Sequence, residues 1–279
     1  MFLSMSEPVL YETHMHTPLC KHAVGQPEEY AQVALERGFK GIIITCHGPL
    51  PDGISSEVRM APEEWDAYIA LVDATRQQFA GQLDIRLGLE SDYLPGLESW
   101  IESLHKRNQL HYVLGSVHPH IREYKEKYLR WDWPTFHRQY FDSLVEAAES
   151  GLFDSLSHPD LVKNLGHEEW NLDAMLDHIC RCLDRIAATG IAMELNTSGL
   201  NKTISEMNPS PQMLAEMRQR DIPVVVGADA HLPQRVGADY EEAYDLLEAA
   251  GYDSVRIFLD RQPQDIPISI ARASLRPIS

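Results

Sequence analysis

The sequence predicts an α/β fold, a parallel barrel of successive βα units with its functional residues at the C-terminal ends of the strands. Three observations lead there. Short runs rich in Val, Ile and Leu alternate with longer amphipathic runs along the chain. Seven such short runs can be marked out. The position just past nearly every one of them is a histidine, an aspartate or a glutamate.

The first strand is expected at residues 9–13 (VLYET) and the first helix at 27–37. Pro27 suits a first helical turn, where its missing N–H costs nothing, and Gly38 suits the stop. Strand two, 41–46 (GIIITC), is an unbroken apolar run, as burial on both faces requires. Helix 62–79 follows, opened by Pro62 and closed near Gly81. Strand three is placed at 85–89 and its helix at 96–107; strand four at 112–117, with helix 133–149 ending before Gly151. Strand five spans 153–157 and its helix 172–189, stopped by Gly190. Strand six, 191–195, leads to helix 211–220, opened by Pro211, and strand seven, 224–228, to helix 240–249.

At 279 residues the chain can bury a large core, and no linker, repeat or compositional shift marks a second domain, so one domain over 1–279 is expected. Lys and Arg number 24 against 42 Asp and Glu, a formal net charge of -18 that argues against a nucleic-acid partner and for a small-molecule or metal ligand. No run has the length of a membrane span, and residues 1–12 lack the basic and apolar regions of a secretory leader; no membrane partner and a cytoplasmic location are expected. Cys20, Cys46, Cys180 and Cys182 include no C-x-x-C pair and are read as reduced and as no structural zinc ligands, with Cys46 assigned to packing. No feature specifies an oligomeric state.

The residues past the strand ends carry the chemistry. Strand one runs into His14 and His16, with His22 in the loop beyond; strand two into His47, three into Glu90, four into His118, five into His158, and seven into Asp229 and His231. In a parallel barrel these ends open on one face, so residues distant in sequence converge there. His14 and His16 are spaced i, i+2, as are Asp229 and His231, which puts both members of each pair on one face of an extended strand. Seven histidines and two carboxylates exceed the needs of one ion and suggest two or three, and this donor set suits zinc, iron or manganese better than magnesium or calcium. His105, His111, His120, His137, His167 and His178 lack this phase, and of these only His120, two residues past His118, is kept in view.

The motifs HMH, TCHGPLP, GLESDY, GSVH, SHPD, ELNTSGL and GADAH together resemble the polymerase and histidinol phosphatase (PHP) superfamily, in its histidinol-phosphatase branch, over nearly the whole chain. The resemblance implies a distorted seven-stranded (β/α)7 TIM-like barrel with three metals at its C-terminal mouth. Carried over by position, His14, His16, Glu90 and Asp229 would hold one ion, His22, His47 and His231 a second, and Glu90, His118 and His158 a third, with Glu90 bridging. Glu90, Asp229 and His231 are then the expected catalytic residues. Where many histidinol phosphatases have an arginine after NTSGL, this chain has Asn201 followed by Lys202. The segment after His118 is also short for that branch.

The reaction implied is phosphomonoester hydrolysis by water activated on the metals, with L-histidinol phosphate as leading substrate, a step of histidine biosynthesis. Lys202, Arg235 and Arg122 follow strands six, seven and four and are the candidate phosphate contacts. The loop 48–60 is long enough to form a lid or specificity wall. Another phosphoester is the alternative inside the superfamily. A metal-dependent amidohydrolase also places H-x-H after its first barrel strand, but that reading leaves His22, His47 and Glu90 without a role. A noncatalytic metal-binding protein would not need ligands from every side of a barrel mouth.

Overall fold

The structure, a computed structural model, describes residues 7–130 and 132–276; residues 1–6, part of the stretch read as lacking a leader, and Trp131, in the segment after His118, lie outside the described residues. In chain order the elements are β1 (Tyr11–Glu12), α1 (Pro27–Glu36), β2 (Gly41–Ile44), α2 (Trp65–Gln78), β3 (Asp84–Asp92), α3 (Glu98–His105), β4 (Tyr112–Ser116), α4 (Arg122–Tyr128), α5 (Trp133–Glu149) and β5 (Ser155–Leu156). They continue with α6 (Leu172–Thr189), β6 (Ala192–Asn196), α7 (Pro211–Gln219), β7 (Val224–Gly227), α8 (Tyr240–Ala250), β8 (Ser254–Leu259), β9 (Gln262–Pro267) and α9 (Ile268–Ser274). Strands β1 to β7 form one parallel sheet in sequence order. The sheet closes through a parallel bridge between Met15 and Ala230, just past β1 and β7.

β5 is shorter than the expected 153–157, and two further strands differ from expectation for identifiable reasons. β1 is shorter than 9–13 because side chains take over its backbone bonds: Thr13 and His14 amides donate to Glu12 Oε1, both at 3.1 Å, and the Met15 amide to Thr45 Oγ1 at 3.2 Å. β3 is longer than 85–89 and carries Glu90 inside the strand rather than after it. Its register with β4 pairs Glu90 with Leu114 and Asp92 with Ser116.

The β8–β9 hairpin and α9 lie beyond the last expected helix. β8 and β9 pair antiparallel around Asp260 and Arg261, which have φ of 53° and 59° and so form a tight turn without the glycine that normally signals one. β9 carries Pro263 and Pro267 and is mostly exposed, which hides it as a strand. α4, REYKEKY, buries only Tyr124 and lacks an apolar stripe.

The hairpin plugs the N-terminal end of the barrel. Tyr11, Ile43, Tyr112, Leu114, Ala192 and Val225 fill the lower interior and meet Ile257 and Phe258 from β8. The Phe258 ring stacks on Tyr112 with centroids 5.5 Å apart. A second, larger core lies between the strands and the surrounding helices and holds Trp65, Tyr68, Phe136, Phe141, Ile186 and Leu247 among others. Burying one such side chain stabilises by about 2 kcal/mol, so these two layers fix the barrel and leave its upper mouth free for polar groups.

Candidate metal centre

The seam of the barrel is also the start of the site. The Ala230 amide donates to the His14 carbonyl at 2.9 Å and the His16 amide to the Ala230 carbonyl at 3.0 Å, so HMH and DAH lie side by side. Asp229 has φ of 48° and His158 φ of 27°, in the left-handed region that costs L residues energy and is found where function requires it.

Glu90 stands at the centre, fully buried. Its Oε1 lies 3.5 Å from His14 Nε2, 3.5 Å from His118 Nε2 and 3.2 Å from His158 Nε2, and its Oε2 lies 2.7 Å from His47 Nδ1 and 3.6 Å from His16 Nε2. Asp229 Oδ1 lies 3.1 Å from His16 Nε2 and 3.5 Å from His14 Nε2. His22 and His231 complete the mouth, their Nε2 atoms 2.9 Å apart. All nine predicted ligand residues, from His14 to His231, therefore converge on one region.

The hydrogen bonds settle which ring nitrogens are free. Nδ1 of His14 donates to Glu194 Oε1 at 2.7 Å, that of His118 to Asp92 Oδ1 at 3.0 Å, that of His22 to the Cys20 carbonyl at 2.7 Å and that of His231 to the Asp229 carbonyl at 3.1 Å. Each neutral ring then presents a bare Nε2 lone pair, the form that ligates metals. Bare lone pairs facing each other at His22 and His231 repel unless a cation lies against them. His14 Nε2, His47 Nδ1 and Glu90 Oε2 are buried without a hydrogen-bond partner, and the short His47–Glu90 contact lacks hydrogen-bond alignment. Buried polar atoms are seldom left so, and a set of them on His and Glu in one place fits metal ions. The ligand atoms of His14, His16 and Asp229, of His47, Glu90 and His118, and of His16, His47 and His231 each lie within 4.8 Å of one another. His47 thus reaches Glu90 as well as the His22 side of the mouth.

Electrostatics agree. Burial disfavours a charged His14, but the carboxylates of Glu194, Asp229 and Glu90 outweigh it and push the imidazole well above its ordinary range. A field that holds a proton there would also hold a cation. Burial pushes His47 down to about 3, so this ring stays neutral and its lone pair stays available. Burial also opposes the charge on Glu90, yet the imidazoles of raised pKa beside it, His14 and His118, hold it well below the usual carboxylate range.

Several supporting residues were not legible as site residues. Strand β6 supplies no ligand; its Glu194 instead holds His14 and accepts from the His158 amide at 2.9 Å, while Asn196 Oδ1 accepts from Ser198 Oγ, which also lies 2.9 Å from Asp229 Oδ2. Gly227 on β7 makes room for this, since a Cβ there would stand 2.1 Å from Glu194 Oε1. Asp92 and Ser116 support His118 and Glu90. A signal was present: Glu90 and Asp92, like Glu194 and Asn196, share the i, i+2 spacing of the HMH pair. Two thiols lie close by, Cys20, read as reduced and no zinc ligand, and Cys46, assigned to packing. Cys20 falls within 4.8 Å of the His22 and His231 ligand atoms, and Cys46 accepts from Thr17 Oγ1 at 3.2 Å. All four cysteines are free.

A cavity of about 730 Å³ opens above the cluster. Of the candidate phosphate contacts, Lys202 lies on its wall, beside Asn201. Arg235 and Arg122 do not line it: Arg235 Nη1 is paired with Asp239 at 2.8 Å, and the Arg122 side chain is 72% exposed and paired with Glu123. Arg59, in the loop between β2 and α2, lines the cavity and was not foreseen. His120 lines it too, while His137 is tied to the Leu165 carbonyl and His105 to Ser91. No helix is long and apolar enough to cross a membrane among the described residues.

Comparison with known proteins agrees with the geometry. The PHP domain family matches residues 12–198. A probable histidinol-phosphatase of Deinococcus radiodurans is 39% identical over 252 residues, covering 87% of this chain and 94% of the relative. The histidinol-phosphatase of Bacillus subtilis is 31% identical over 259 residues, covering 82% and 96%. The crystal structure of a histidinol phosphate phosphatase from Lactococcus lactis, complexed with zinc, L-histidinol and phosphate, superimposes with a TM-score of 0.76 at 17% identity, over 91% of this chain and 98% of that one. The match in family, in relatives and in barrel leads to one conclusion: the chain belongs to the PHP domain family, in the branch of the histidinol phosphatases.

Proposed function

We propose that this protein is a metal-dependent phosphomonoesterase, a single catalytic domain over residues 1–279 that hydrolyses L-histidinol phosphate to L-histidinol and phosphate. The observation that carries the reading is the convergence of nine His, Glu and Asp side chains, several with buried unpartnered ligand atoms, at the floor of one cavity. The names of the two relatives support the substrate.

His14, His16, Glu90 and Asp229 would hold one divalent ion, His22, His47 and His231 another, and His118 and His158 a third with Glu90, the ions being zinc, iron or manganese. When bound, such ions supply Lewis acidity toward phosphoryl oxygen and toward water. The protein's residues do the rest. Glu194, Asp92 and the Cys20 carbonyl fix the ring orientations of His14, His118 and His22. Lys202 offers a cation to the phosphate from the cavity wall, beside Asn201. The floor at His14, His16 and Glu90 is buried, where charge interactions are strong.

The test is elemental analysis of purified and reconstituted protein beside kcat/KM for histidinol phosphate, a sugar phosphate, a nucleotide and p-nitrophenyl phosphate. Two to three ions per chain with a preference for histidinol phosphate is the expected result. Preference for another ester would overturn the substrate and keep the hydrolase; fewer than two ions would overturn the multinuclear site.

A further inference from the structure

Arg59 is among the largest fully buried side chains, 1% exposed, yet it comes from a loop whose preceding residues, Ser56 and Glu57, are exposed. Burying a guanidinium is costly unless its donors are matched. Its Nη2 donates to Asp92 Oδ2 at 2.7 Å and its Nη1 to the Gly48 carbonyl at 3.1 Å, while Nε has no partner. These two bonds reach the two flanks of the central carboxylate. Asp92 holds His118 Nδ1 through its other oxygen, and Gly48 follows His47 and donates its own amide to the Glu90 carbonyl at 2.8 Å. His47 and His118 have ring centroids 5.1 Å apart on either side of Glu90.

We propose that Arg59 is a positioning residue for the metal centre: its guanidinium spans the backbone beside His47 and the carboxylate behind His118, and so sets the separation of two ligands that share Glu90. The planar fork is what permits this. Its donors leave in fixed, divergent directions, whereas a lysine ammonium is a single point on a flexible stem and cannot hold both acceptors at their present places. The loop between β2 and α2 is thereby fastened to the metal floor at residue 59, and the part of it that can vary lies between Pro49 and Val58. Asp92 needs both of its oxygens for this link, so it and Arg59 act as one unit.

The inference rests on the metal-centre reading, and the test separates the two. Wild type, Arg59→Lys, Arg59→Met, Asp92→Asn and the Arg59→Met/Asp92→Asn double variant are loaded with zinc or manganese and challenged with a chelator. Metal retained per chain, kcat and KM are measured, with the melting temperature of each metal-free protein. Outer partners of metal ligands are worth 10–100-fold in metal affinity or activity. Arg59→Met and Asp92→Asn should each release about one ion faster by roughly tenfold or more and lower kcat to match, with KM little changed; each also lowers metal-free melting by leaving half of a buried ion pair, and the double variant, which removes both halves, should regain melting without regaining the ion. Arg59→Lys should fail to restore retention, and the double variant should lose no more than the worse single one. Retention at wild-type levels, full rescue by lysine, a change in KM alone, additive losses, or a loss that tracks the metal-free melting temperature would each overturn the positioning role. A wild-type protein that binds no metal would overturn the metal-centre reading itself and this role with it.

Discussion

The two ends of the barrel bury polar groups in opposite ways. At the base the polar groups are paired: Tyr11 donates to Asp84 Oδ2 at 2.5 Å, Arg86 to the same oxygen at 2.8 Å, and Arg261 Nε to Asp154 Oδ1 at 3.0 Å. At the mouth the same strands bury His14 Nε2, His47 Nδ1 and Glu90 Oε2 with none. Matched polar groups cost little and add order, while unmatched ones cost about 1–3 kcal/mol each and persist only where something else requires them. The base is therefore built for stability and the mouth for binding, and substitutions at the two ends should separate into two kinds.

The largest separation is expected at Glu90. Glu90→Gln should lower kcat/KM by on the order of a thousandfold, about 4 kcal/mol of transition-state stabilisation, in protein that still folds. Turnover near wild type would break the contrast from the side of the mouth. Phe258→Ala tests it from the base. Loss of the ring stacked on Tyr112 should cost about 3 kcal/mol in denaturant unfolding, with kcat within a factor of about two at a permissive temperature. A specific loss of kcat in folded Phe258→Ala would show that the ends are coupled.

Between the ends lies Glu194, matched like a base residue yet joined to His14. Glu194→Gln should lower metal affinity or activity by 10–100-fold, and spectroscopy of a cobalt-substituted protein should register the change at the metal. Unchanged spectra would return Glu194 to the structural class. At the bottom of the scale, Arg122→Ala should leave KM for the phosphoester unchanged, since its charge is already paired on the surface and it lies outside the main cavity. A raised KM would restore it as a phosphate contact.

The same contrast explains what could be read from the chain alone. The mouth was legible because ligating side chains are rare in apolar runs, so GIIITCH, YVLGSVH and GADAH stand out against their own strands. Histidines at 14, 16, 22, 47, 118, 158 and 231, with Glu90 and Asp229, all reach the same region. The matched residues carry no such mark. Arg59 sits in a polar loop and looks solvated until Asp92 is seen behind it. Arg235 and Arg122 follow strands as Lys202 does, and only the three-dimensional pairing with Asp239 and Glu123 separates them. The β8–β9 plug escaped because its outer strand is polar and proline-bearing, since it needs to bury only its partner.

The bridge between Met15 and Ala230 closes the barrel with two backbone hydrogen bonds, and each bridging residue stands between two of the candidate ligands. A barrel whose first and last strands part becomes an open sheet with two free edges, the form prone to pairing with other chains. Ions held across His14, His16, Asp229 and His231 would act as a clasp on that edge. Occupancy at 100 times the dissociation constant adds about 2.7 kcal/mol to the closed form. Chelation should thus speed amide hydrogen exchange at His16 and Ala230 before it does so at the base, and chelated protein should self-associate on warming while the loaded protein stays dispersed. Metal supply would then govern how long the chain survives as well as how fast it turns over.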